Sequence, residues 1–156
     1  MLNYSMDEIT IHSSGQWHLY KGRKFYDSTF ISVLSFHSPG LAAVIDTNGA
    51  YHINLSGKPA YAARYIESWG YYNNIAAVKS CDGWSHIDTS GTQVYKERYA
   101  WCGNFQENKC VVRDFESNYF HINNQGSALY KERYAYAGDF KDGIAVVVCP
   151  TSGKHT

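Results

Sequence analysis

Six residues, Tyr-Lys-Glu-Arg-Tyr-Ala, occur twice in the chain, at 95–100 and again at 130–135. A recurrence at a fixed offset marks a tandem array whose units bury their apolar faces against one another, and it limits the fold more tightly than composition does. The same offset runs through the whole sequence. His52 follows His18 by 34 residues (52 − 18), His86 follows His52 by 34 (86 − 52), and His121 follows His86 by 35 (121 − 86). After each histidine comes a glycine (Gly22, Gly57, Gly91, Gly126), then a tyrosine (Tyr26, Tyr61, Tyr95, Tyr130). Arg64, Arg98 and Arg133 follow in three copies, with Thr29 in the first. Next come two further aromatics, Phe30, Tyr65, Tyr99 and Tyr134, then Phe36, Tyr71, Phe105 and Phe140. Each copy closes on an apolar run: Leu41 to Ile45, Ile75 to Val78, Cys110 to Val112, and Ile144 to Val148.

This pattern divides the chain into a leader at 1–15, units at about 16–49, 50–83, 84–118 and 119–149, and a tail at 150–156. The first unit is the most divergent, as terminal units of stacked arrays often are. Within a unit the signals are those of short strands. Asn48-Gly49 and Asp82-Gly83 stand between alternating runs and predict tight hairpins, and Ser117-Asn118 holds that place in the later copy. The runs ending on the recurrent tyrosine, such as Thr92 to Tyr95, read as a third strand. The segment containing Lys-Glu-Arg-Tyr reads as a turn. Ile9 to Ile11 predicts an extra strand that finishes the array. No helical periodicity appears over 11 or more residues. The expectation is an all-β fold: four β-meander repeats of three or four short strands, stacked either as an open β-solenoid-like array or as a closed, small propeller-like one.

The chain has 156 residues, enough for one domain, whereas a single unit would bury too little surface to stand alone. Fourteen basic residues balance fourteen acidic ones, and they are interspersed, which argues against a nucleic-acid partner or an anionic membrane surface. The N-terminal residues do not form a classical signal peptide, and no apolar run is long enough to cross a membrane as a helix. Cys81, Cys102, Cys110 and Cys149 have no metal-type spacing; read as reduced thiols, they point to the cytoplasm.

The stretch from Asp82, Asp-Gly-Trp-Ser-His-Ile-Asp-Thr-Ser-Gly, then Tyr95, Tyr99, Gly103, Phe105 and the run Cys110 to Val112, resembles the unit of the bacterial WG-repeat family. The resemblance covers roughly 16 to 149. The chain departs from the family's unit in two ways. The namesake glycine after Trp84 is Ser85, and the namesake tryptophan is replaced by Gln16, Ala50 and Tyr119 in the other units. Trp69-Gly70 lies in a different part of the unit. The resemblance implies a non-catalytic interaction module.

Each recurring residue type has a chemical reading and a structural one. A ladder of imidazoles at His18, His52, His86 and His121 could ligate metal, but no carboxylate or thiol recurs beside them, so a structural hydrogen-bonding role is expected. Arg64, Arg98 and Arg133 could form an anion-binding row; the expected role is a clamp that stacks on an aromatic face and bonds carbonyls across a turn. Gly57, Gly91 and Gly126, with Tyr61, Tyr95 and Tyr130, read as unit-building positions. Trp69, Trp101 and Tyr136 could form a sugar-stacking platform. No phosphate loop, nucleophile elbow or paired ligand motif is present, so no enzyme activity, metal or cofactor is expected. The function expected is a scaffold that binds another protein, the alternative being a carbohydrate or small planar ligand held by the recurrent aromatics.

Overall fold

Short runs of β-branched and aromatic residues, broken every few positions by Gly, Asn or Asp, can close only local antiparallel ladders, and the chain forms a succession of them. The computed structural model describes residues 5–150, so the first residues of the leader, 1–4, and the tail at 151–156 lie outside the described residues. A 3-10 turn, Met6–Glu8, is the only helical element among the described residues. The strands are β1 (Ile9–Ile11), β2 (His18–Tyr20), β3 (Arg23–Lys24), β4 (Ser32–His37), β5 (Leu41–Asp46), β6 (Gly49–Ile53) and β7 (Glu67–Tyr72). They continue with β8 (Ile75–Ser80), β9 (Gly83–Ile87), β10 (Trp101–Cys102), β11 (Lys109–Arg113), β12 (Tyr119–Asn123), β13 (Tyr136–Ala137) and β14 (Val147–Val148). Each sheet contains consecutive strands: β1-β2-β3, β4-β5-β6, β7-β8-β9, β10-β11-β12 and β13-β14. The protein is an all-β array of repeated, small antiparallel sheets.

The register repeats along with the sequence. His52 lies opposite Ala43, His86 opposite Ala77, His121 opposite Val111, and His18 opposite Ile11 of the leader strand. Ile9 to Ile11 does form a strand, but it pairs with β2 rather than completing the last sheet. The sequence boundaries at 49/50, 83/84 and 118/119 fall within or beside the third strand of a sheet, so each of these sheets joins residues of two adjoining sequence units.

Two features differ from the sequence expectation. The run 92–95 is not a strand: the expected third strand forms only in the first unit, as β3 against β2, and here only Gln93 bridges back, to Ile87, with matching bridges at Pro59 and Ala128. The chain leaves the sheet there because the side chain of Tyr95 is drawn toward His86. The late aromatic instead lies on the first strand of the second and third sheets, β4 with Phe36 and β7 with Tyr71, each irregular in register just before that residue. The second difference is at the end of the array, where Ile144 to Val148 is exposed although its counterparts Ala76 to Val78 and Cys110 to Val112 are buried. The hairpin after Asp114 takes its left-handed residue at Ser117, φ 69°, and the Asp114 carboxylate accepts the Glu116 and Asn118 N–H groups to hold the turn.

Candidate functional site

At the centre of each unit is a buried histidine whose two ring nitrogens are both bonded. Nε2 faces a backbone carbonyl: Leu34 for His18, Trp69 for His52, Gly103 for His86 and Gly138 for His121, at 2.7, 2.7, 2.9 and 2.8 Å. A carbonyl only accepts, so Nε2 carries the proton and Nδ1 must accept. The donor to Nδ1 is the tyrosine hydroxyl of the same unit: Tyr26, Tyr61 and Tyr130 at 2.6 Å, Tyr95 at 2.5 Å. The late aromatic packs against the imidazole with ring centroids 4.5 Å apart for Phe36 and Tyr71, 4.8 Å for Phe105 and 4.6 Å for Phe140. The four sites have the same chemistry and do not converge. Among the described residues no group of three or more His, Cys, Asp or Glu could hold a metal.

The same tyrosine joins units. A Cβ on Gly57 would lie 2.8 Å from Tyr26 Cβ, one on Gly91 2.6 Å from Tyr61 Cβ, and one on Gly126 2.5 Å from Tyr95 Cβ. Each glycine closes a turn in which Asn54, Asp88 or Asn123 accepts downstream N–H groups, and there it takes φ of +76 to +84°. Only glycine allows both that conformation and the close contact with the ring.

The arginines turn onto their own chain. Arg64 Nη1 donates to the carbonyls of Tyr61, Ala62 and Ala63, and Arg133 Nη1 to those of Tyr130, Lys131 and Glu132. Their guanidiniums lie 3.8 Å from the rings of Tyr51 and Phe120. In the middle unit that ring position is Ser85, so Arg98 instead pairs with Asp82 at 3.3 Å and Gln93 at 3.0 Å while still bonding the Lys96 and Glu97 carbonyls. In the first unit, Lys24 stands in for the missing arginine: it donates to Thr29 and to the Asp27 carbonyl and lies over Trp17. That substitute is invisible in the repeat pattern, because Lys24 precedes Tyr26 whereas the arginines follow their tyrosines.

Burial settles the ionisation of these groups. It lowers the pKa of His52 and His86 to about 4 and lowers that of His18, so these imidazoles are neutral at neutral pH. Burial pushes the Tyr26 phenol up to about 12 and raises Tyr61 and Tyr95 further. Cys102, raised to about 12, and Cys110, raised well above its ordinary value, are desolvated thiols beside Tyr95 and His86 rather than nucleophiles.

With those positions committed to the fold, the exposed chemistry lies elsewhere. The outer face of the fourth sheet carries Trp101, Arg113 and Tyr119 side by side, because β11 places Arg113 opposite both aromatics. Tyr136 continues the row, 5.5 Å from Tyr119 between ring centroids, and Trp101 lies 6.4 Å away on the other side. These residues, with Val111 and Asp139, line an open cleft of about 370 Å³. A smaller hollow of about 220 Å³ lies between Trp69 and Trp101. Trp69, Trp101 and Tyr136 are therefore brought onto one face as neighbours along it. Tyr119, Arg113 and Asp139 also belong to the site, although the repeat pattern did not single them out. Arg113 and Tyr119 flank the Asp114 hairpin, a cue available in the sequence; the pairing of Trp101 with Arg113 depends on β10, which has no such cue.

No family model matches the chain, and no curated protein sequence matches it. Among solved structures it is similar to the computationally designed protein Ika8 (TM-score 0.56, 13% identity, covering 89% of this chain and 51% of that one). It is also similar to BamB from Moraxella catarrhalis (TM-score 0.51, 12% identity, covering 81% of this chain and 46% of that one). The chain thus spans about half the length of the structures it matches, and at these identities the likeness is one of fold.

Proposed function

We propose that the chain is a non-catalytic repeat scaffold that binds another protein, in keeping with its resemblance to the WG-repeat family. One observation carries this reading: the recurring His, Tyr and Arg side chains are engaged with one another and with backbone and the recurring glycines seat the tyrosine rings, while large side chains that do not recur in every unit, Trp69, Trp101 and Tyr136, stand exposed on one face. Exposed aromatics beside an arginine are the composition of interaction hot spots. The unpaired thiols of Cys81, Cys102, Cys110 and Cys149 support a reducing, cytoplasmic setting for a bacterial protein. The test is affinity capture from the native cells with the wild-type chain and with Trp101→Ala/Tyr136→Ala. A partner retained by the first and lost by the second is expected; equal capture by both would overturn the assignment of the face.

The cleft itself favours a second reading. Three rings that line one cleft together with Arg113 and Asp139 suit a saccharide or other planar ligand, stacked on carbon and bonded at its edges. A glycan-binding screen separates the two: a saccharide hit abolished by Tyr136→Ala would favour this reading over a protein partner.

A further inference from the structure

Successive sheets pair in one register, so the same row of positions can be followed from sheet to sheet. Ser32 lies opposite Ile45, Glu67 opposite Lys79, and Trp101 opposite Arg113. The next strand adds Ala50, Trp84 and Tyr119 beside Ile45, Lys79 and Arg113. The second sheet carries no charge in this row. The third carries a cation with its counter-ion, Lys79 and Glu67, 3.7 Å apart. The fourth keeps the cation, as Arg113, but a tryptophan stands where the acid stood. Among the described residues the Arg113 guanidinium has no hydrogen bond, ion pair or ring contact. Asp139 lines the same cleft and is not paired with it. Arg113 is therefore held half-buried in the cleft, five donors unused. The face is open inside the array. The cleft's walls all come from residues 101–139. One sheet earlier the place of Tyr136 is held by Trp101, which is 36% exposed although a further sheet follows it.

We propose that the partner supplies the missing acid. The face binds a peptide segment of another protein in which one Asp or Glu reaches Arg113 while an apolar or aromatic neighbour lies against Trp101, Tyr119 or Tyr136. This rests on the protein-binding reading given above and names what that partner must carry. A guanidinium meets a carboxylate through two parallel N–H donors, and beside rings that exclude water the pair is stronger than on an open surface. The rings of Trp101 and Tyr119 are tilted by 58°, and those of Tyr119 and Tyr136 by 52°. Tilted rings offer separate notches to successive side chains, where a single sugar ring wants one flat platform. Asp139 repels a second acid and limits the motif to one.

A phage library of random linear peptides, selected on the wild-type chain and counter-selected on Trp101→Ala/Tyr136→Ala, is expected to yield segments with Asp or Glu beside an aromatic or aliphatic residue. A selected peptide, labelled with a fluorophore, then reports affinity by anisotropy. Arg113→Met keeps the stem and removes the charge, and should weaken binding about tenfold or more. Replacing the peptide's acid by its amide should do the same, and the two losses should not add. Trp101→Glu restores the arrangement of Glu67 and Lys79, and should weaken binding more than Trp101→Gln. Near-ultraviolet circular dichroism checks the fold of each variant. Selected peptides with no acidic preference, or an affinity unchanged by Arg113→Met, would overturn the inference and leave the protein-binding reading intact. A library that yields no peptide dependent on this face would also overturn it. The capture experiment above decides the reading separately: a partner still lost from Trp101→Ala/Tyr136→Ala keeps it, and equal capture removes it.

Discussion

Tyr61 lies over Gly91 of the following unit so closely that a Cβ at residue 91 would come within 2.6 Å of Tyr61 Cβ and Cγ. The contact is one of three that hold successive units together, and it leaves no room for adjustment, because the glycine is backbone-locked in a left-handed turn. Gly91→Ala therefore combines strain at positive φ with a steric conflict across the joint, and should cost at least about 2 kcal/mol. Urea denaturation of the variant against wild type measures it; a midpoint within error of wild type would contradict the packing described.

Tyr95→Phe keeps the ring over Gly126 and removes only the hydroxyl that donates to His86 Nδ1. A buried acceptor is left without a partner, at a cost of about 1–3 kcal/mol. The same denaturation measurement reads it, and the far-ultraviolet spectrum should not change.

The buried imidazoles make stability depend on pH, with a definite sign. His52 and His86 have folded pKa values near 4, against 6.5 for the free side chain, so between these values the unfolded chain binds more protons. Stability is full above about pH 6.5, falls as the pH drops through the window, and levels off below about pH 4. At pH 5 each of the two should cost about 2 kcal/mol relative to pH 7. The urea midpoint should fall accordingly between those two pH values, and His86→Gln should reduce the slope.

Ser85 is fully buried, and its hydroxyl has no hydrogen-bond partner. It occupies the place where Tyr51 and Phe120 carry rings under their arginines. Ser85→Ala removes the stranded hydroxyl and should raise stability by about 1 kcal/mol, a gain visible as a higher thermal midpoint.

Trp101→Ala and Tyr136→Ala test the exposed row. Trp101 is 36% and Tyr136 49% exposed and neither belongs to the core, so the thermal midpoint should fall only modestly, whereas capture of a partner should drop sharply.

What could be read from the sequence was whatever recurs. The spacing of His18, His52, His86 and His121, and the glycine and tyrosine after each, exposes a unit because every copy solves the same packing problem in the same way. The carbonyl clamp of Arg64 and Arg133 follows from residue type beside a turn. The run 92–95 misled because its composition suits a strand; its path is set instead by the pull of His86 on Tyr95 and by the fit of Tyr95 against Gly126, contacts that reach backward and forward across units. The aromatic cleft was only partly legible, since it is made by cross-strand register: Trp101, Arg113 and Tyr119 are twelve and six residues apart and meet on adjacent strands.

Each unit carries both the ring that rests on the next glycine and the glycine that receives the previous ring. Any unit can therefore follow any other without a matching change elsewhere, and copying or deleting one period of the chain leaves every junction compatible. Length is free to drift in such a molecule, while the face it presents to a partner can diversify one strand at a time.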